Sequence, residues 1–145
     1  GSISNGNDVA TAIQMGADLA WMGTRFINVE ESLADDQYKK MIIESSAEDI
    51  VYTAAVSGVN GSFLRSSLEA MGITEEMWSK TKKINFGSEL DAAKAEAKAW
   101  KTIWSAGQGV TSINDVIPVS NLVSELKTDF LLGLERMKEV YNTYN

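Results

Sequence analysis

Two short glycine-bearing segments near the start of the chain hold residue types suited to gripping a phosphate. Gly1-Ser2-Ile3-Ser4-Asn5-Gly6 opens the sequence, and Trp21-Met22-Gly23-Thr24-Arg25-Phe26 follows it. A phosphate is held best by backbone N–H groups that no side chain obstructs, at the positive end of a helix. Gly1 and Gly23 permit close approach of the backbone. The hydroxyls of Ser2 and Thr24 add donors, and a helix beginning near Asp8 would point its positive end at the anion. Arg25 can reach a phosphate or pair with Asp18, Glu30 or Glu31.

The elements that must position these groups follow from periodicity. Val9, Ala12, Ile13 and Ala17 recur at helical spacing over residues 8–15, and Gly16 suits the helix end. Residues 19–22 are apolar, short and flanked by Gly16 and Gly23, which reads as a buried parallel strand. Loop, helix, strand and second loop in that order is the layout by which the last βα units of a TIM barrel hold a phosphate. A helix is expected over residues 35–45, with Tyr38, Met41 and Ile42 on its apolar face, and an extended segment over 50–56. Gly58 and Gly61 bracket a turn, and Ser62 reads as the cap of a helix through Met71 closed by Gly72. Thr74 starts a short helix, residues 84–87 form a loop, and the Ala-, Lys- and Glu-rich stretch 90–104 is helical. Residues 105–109 break it. Pro118 opens a last helix to about Tyr141, with Leu122, Val123, Leu126, Phe130 and Leu134 on one stripe. Trp78, Trp100 and Trp104 read as core anchors, and Met15, Met22, Met41 and Met71 as core fillers. The pairs Asp35-Asp36 and Glu75-Glu76 sit at helix starts, where capping explains them without catalysis. Many helices and about two short strands cannot close a barrel, so the expected architecture is a single incomplete domain over residues 1–145.

Composition narrows the chemistry. The 145 residues carry a net charge of −7, a poor match for nucleic acid, and Lys80, Lys82 and Lys83 form a small basic patch on a solvated surface. The chain contains no cysteine and no histidine. Disulfides and thiolate metal sites are thereby excluded, and the commonest general base and metal ligand is absent. No apolar run approaches the ~20 residues that span a bilayer, and no signal peptide is visible. These features fit a cytoplasmic protein.

Taken in order, the motifs resemble the C-terminal part of the nitronate monooxygenase family, formerly called 2-nitropropane dioxygenases, whose architecture is shared by FMN-dependent enoyl-ACP reductases. The matching residues are Gly1 to Gly6, Gly16-Ala17-Asp18, Met22 to Phe26, Glu30-Glu31-Ser32 and Tyr38-Lys39. They continue through Asp49 to Thr53, Leu64-Arg65, Ala99 to Trp104, Ala106-Gly107-Gln108-Gly109 and Asp115 to Leu122. The resemblance implies an α/β fold, the C-terminal portion of a (β/α)8 TIM barrel. It implies FMN as cofactor and oxidation of alkyl nitronates with dioxygen to a carbonyl compound and nitrite. It places Gly1, Ser2, Trp21, Met22, Gly23 and Thr24 at the FMN phosphate. Gln108 lies in what resembles a family loop near the cofactor, and reads equally as part of a glycine-rich helix terminator. Where the family usually has a second glycine, this chain has Ser2. The family's catalytic histidine lies upstream of the matched region, so no residue here is assigned a catalytic role.

Partners expected from this reading are a small-molecule substrate in the complete enzyme, no nucleic acid and no membrane. Self-association through an exposed barrel-facing surface is expected as well. Two other readings stand beside it: a catalytically inactive helical fragment that self-associates, and a phosphate- or anion-binding module without redox chemistry.

Overall fold

The computed structural model describes residues 2–79 and 101–145. Within them the chain is mostly helical and carries one two-stranded antiparallel sheet. Helix α1 (Gly6–Gln14) starts at Asn5, whose side chain accepts from the Asp8 amide while Asp8 accepts from the Asn5 amide. This reciprocal cap satisfies donors that the first turn leaves free. Gly16, at φ 95°, ends the helix: its own N–H reaches the Ile13 carbonyl and the Ala17 N–H reaches that of Ala12. Only a left-handed residue closes a helix this way, which is why glycine stands there.

A single turn, α2 (Thr24–Ile27), leads into α3 (Asp36–Ile43), capped by the Asp35 carboxylate. A 3-10 turn (Ala47–Asp49) precedes strand β1 (Ile50–Thr53), which pairs with β2 (Gly61–Leu64) with Ile50 opposite Leu64 and Thr53 opposite Gly61. Helix α4 (Arg65–Ala70) ends at Gly72, φ 76°, in the same left-handed closure as α1. Helix α5 (Glu75–Trp78) is short, and a 3-10 turn (Gln108–Ser112) precedes α6 (Val119–Tyr144).

Two apolar clusters hold these elements. One gathers Val51, Val56, Phe63, Leu68, Ile73 and Trp78 around the sheet and α4. The other joins Ile42 and Leu64 to Ala106, Val110 and Ile113, so the segment after residue 102 is packed against α3 and β2. Trp78 and Trp104 sit in or against these clusters, as core anchors should, and Met41 and Met71 pack on them.

The structure corrects four expectations. Residues 19–22 form no strand, and Leu19 and Trp21 are 87% and 88% exposed. A barrel strand is held by ladder bonds to its neighbours, and no described strand pairs with this segment. Met15 is no core filler but lies exposed at the end of α1. Ser62 belongs to β2, opposite Tyr52 of β1, and does not cap a helix; its carbonyl also accepts from the Ala106 N–H. The extended segment stops at Thr53 rather than residue 56, where Ala55 and Val56 turn into the core. Of the helix expected over 90–104, residues 101 and 102 are helical. Its earlier part, the loop at 84–87, Trp100 and the Lys80, Lys82, Lys83 patch lie outside the described residues.

Candidate phosphate-binding site

Three segments distant in sequence meet at one place. Thr24, the first residue of α2, accepts a hydrogen bond on Oγ1 from the Gly107 N–H at 2.9 Å, across 83 positions of chain. Ser4 donates from Oγ to the Gly109 carbonyl at 2.9 Å, in a buried contact across 105 positions. The fit is close: a Cβ added at Gly109 would lie 2.1 Å from Ser4 Oγ and 3.4 Å from Ser2 Cα. Glycine at 109 is therefore a packing requirement. The opening segment, the Gly23-Thr24 turn and the strap 104–109 form one unit, with Gln108 at the strap's exposed tip.

The strap is anchored at its other end too. The Trp104 N–H donates to Ser67 Oγ at 3.1 Å, while that hydroxyl donates to the Leu64 carbonyl at 2.8 Å. Tyr38 stacks on Trp104, with ring centres 5.0 Å apart and planes 10° from parallel, and donates its hydroxyl to the Ser105 carbonyl. Burial pushes the Tyr38 phenol up to about 12, so it stays a neutral donor.

What the unit presents outward is mostly backbone. Gly23 is exposed, and a Cβ built on it meets nothing within 4 Å. Thr24 uses its oxygen as acceptor toward Gly107, leaving its hydroxyl proton to donate elsewhere. Ser2 sits at φ 63°, the left-handed region that glycine enters freely and serine enters at a cost. Of the residues singled out from sequence, Ser2, Thr24 and Gln108 are thus gathered together through Gly107 and Gly109, with Gly23 beside Thr24. Trp21 and Met22 precede Gly23 in the chain, with Trp21 88% exposed. Gly1 lies outside the described residues.

Two expectations about charge are corrected. At the N-terminus of α1 the Asp8 carboxylate accepts from the Ser4 and Asn5 amides at 2.8 and 3.2 Å, so an anion would meet an acidic side chain there. A negative side chain occupies the positive end of the helix. Arg25 meets neither the open backbone nor Asp18, Glu30 or Glu31. It is 4% exposed and bonds Asp115 at 2.8 Å, with a second nitrogen donating to the Asn28 carbonyl at 3.2 Å. Asp115 is brought there by the segment that bridges Val29 to Ile117 in parallel. Sequence reading missed Ser4, which no local signal marked. The glycines flanking Gln108 were the visible trace of the other half of that contact. No group of histidine, cysteine or acidic residues suited to a metal occurs among the described residues.

Comparison with known proteins agrees with this architecture. The sequence profile of the nitronate monooxygenase family matches residues 1–129. A curated nitronate monooxygenase of Paraburkholderia phytofirmans is 25% identical over 98% of this chain, which spans 40% of that relative's length. Among solved structures, a FabK variant from Thermotoga maritima superposes with a TM-score of 0.71 at 25% identity, over 97% of this chain and 43% of that one. The nitroalkane oxidase of Streptomyces ansochromogenes shares the fold, with a TM-score of 0.68 at 23% identity over 94% of this chain and 40% of the other. The fold is α/β, the C-terminal portion of a (β/α)8 barrel. By its sequence profile and its oxidoreductase relatives, the chain belongs to the nitronate monooxygenase family.

Proposed function

We propose that this chain supplies the FMN phosphate site of an oxidoreductase that oxidises alkyl nitronates. The observation that carries the reading is the convergence of Ser2–Ser4, Gly23-Thr24 and residues 107–109 in one unit. The residues present fit a phosphate ester. Gly23 is exposed with open space around it, the Thr24 hydroxyl keeps a proton to give, and the backbone of Ser2 runs beside Gly109. Neutral donors on a braced backbone suit a phosphate monoester, since they need no reorganisation when the anion arrives. Gln108, projecting from the strap's tip, would lie against the cofactor and orient it. Bound FMN supplies the electron chemistry by which a nitronate and dioxygen become a carbonyl compound and nitrite. The residues of this chain bind and orient; the chain has no histidine and none of its described residues is assigned as the base.

Titration of FMN into the chain, followed by flavin fluorescence, tests the reading. The expected result is saturable quenching, weakened about tenfold by Thr24→Val, which keeps the shape but removes both the donor and the acceptor that holds Gly107. Unchanged fluorescence and unchanged thermal stability at millimolar FMN would overturn it.

A further inference from the structure

Helix α6 outlasts the element it packs against. Its neighbour α1 is 9 residues long and α6 is 26. The two cross at their glycines: a Cβ on Gly6 would lie 2.1 Å from the Leu126 carbonyl oxygen, and one on Gly133 would lie 3.0 Å from Ala10 Cβ. Beyond Gly133, every residue to the end of the helix is exposed.

Most of the apolar residues on this part of the helix share one stripe, while Leu131, Leu132 and Val140, also exposed, lie off it. Val123, Phe130, Leu134, Met137, Tyr141 and Tyr144 follow one another at intervals of seven, four, three, four and three. That is the spacing of a coiled-coil seam, and Lys127 fills its one polar position. At its N-terminal end the seam runs into an apolar groove between α1 and α6 of about 270 Å³, lined by Val9, Val123, Leu126, Lys127 and Phe130. Groove and seam make one face about 32 Å long. Most of it lies past residue 129, where the family profile match stops.

We propose that this face is a homodimer interface, occupied by α6 of a second copy in antiparallel orientation. A seam of four-three spacing is complementary to another helix of that spacing, and the chain itself provides one. Antiparallel pairing about a two-fold axis near Leu134 lays the partner's Tyr141 and Tyr144 along the groove beside Val9 and Phe130. Each copy does the same for the other, so the assembly closes at two. Burying the exposed parts of these side chains on both copies removes on the order of 1,000 Å² of surface, the lower bound for a specific interface. This interface is separate from the face at residues 19–22, where Leu19 and Trp21 stand out.

The absence of cysteine makes the test clean. Multi-angle light scattering of the intact chain is expected to give a dimer. Leu134→Glu, which puts two charges at the axis, is expected to weaken it about a hundredfold with an unchanged far-ultraviolet circular dichroism spectrum. Under mild oxidation Leu134→Cys should yield a disulfide-linked dimer, and Tyr144→Cys, whose two copies lie at opposite ends, should not. A monomer at high micromolar concentration would overturn the proposal. So would a dimer that survives Leu134→Glu, or one lost instead in Trp21→Ser, and efficient cross-linking of Tyr144→Cys would overturn the antiparallel arrangement.

Discussion

Ser4 and Gly109 touch so closely that neither can change alone. In Gly109→Ala the new methyl would fall 2.1 Å from Ser4 Oγ, so the buried hydrogen bond between them must break and the strap must shift. Loss of a buried bond with a displaced backbone costs about 1–3 kcal/mol. Denaturant unfolding should show that loss, and adding Ser4→Gly to Gly109→Ala should recover part of it, since the second change empties the space the first one claims. The donors at this site were legible in the sequence because their chemistry is local: a glycine leaves an amide uncovered and a threonine brings a hydroxyl wherever the chain places them. Their partners were not legible. Arg25 is bound to a residue 90 positions away, and nearer carboxylates such as Asp18 and Glu30 gave no sign of being passed over.

Helix ends show the same division between local and distant causes. The caps of α1 and α3 lie within a few residues of what they cap; Asp35 acts where the sequence places a helix start, while Asn5 caps α1 at Gly6, two residues before the expected Asp8. The start of α6 is different. Pro118 stands at its N-cap without a side-chain acceptor, and the Val119 N–H is taken instead by the Glu31 carboxylate, at 2.9 and 3.1 Å. Glu31 thus does for α6 what a neighbouring serine or aspartate usually does, with its charge at the positive end of the dipole. Glu31→Ala should lower stability by about 1 kcal/mol, read as a fall in melting temperature, and Glu31→Gln should recover the acceptor without the charge. The strand misread at Ser62 has a related origin. Ser62 and Leu64 are bonded to the strap through Ala106 and Trp104, and a window of neighbouring residues holds no record of that pairing.

Across the whole molecule the strap 104–109 is the common member, bound from the opening segment, α2, α3 and α4 at once. Its bond from Tyr38 makes the assembly sensitive to alkali. Burial raises the Tyr38 phenol from 10.0 to about 12, so folding favours the neutral form. That contribution is complete below pH ~10 and is lost as pH rises toward 12, because the unfolded chain releases the proton first. Melting temperature should therefore fall through this range, and Tyr38→Phe should flatten the fall while lowering the plateau below pH 10.

The two clamps that build the site join residues 83 and 105 positions apart. Closing segments that long spends chain entropy before either hydrogen bond can return anything. Folding kinetics followed at the helices and at the site are expected to show the local helices forming before these long-range clamps. On the ribosome Ser4 and Thr24 emerge long before Gly107 and Gly109. For most of its synthesis the chain therefore holds both halves of the proposed phosphate cradle without the piece that joins them, and that candidate surface is complete only when the last third of these residues is free to fold back.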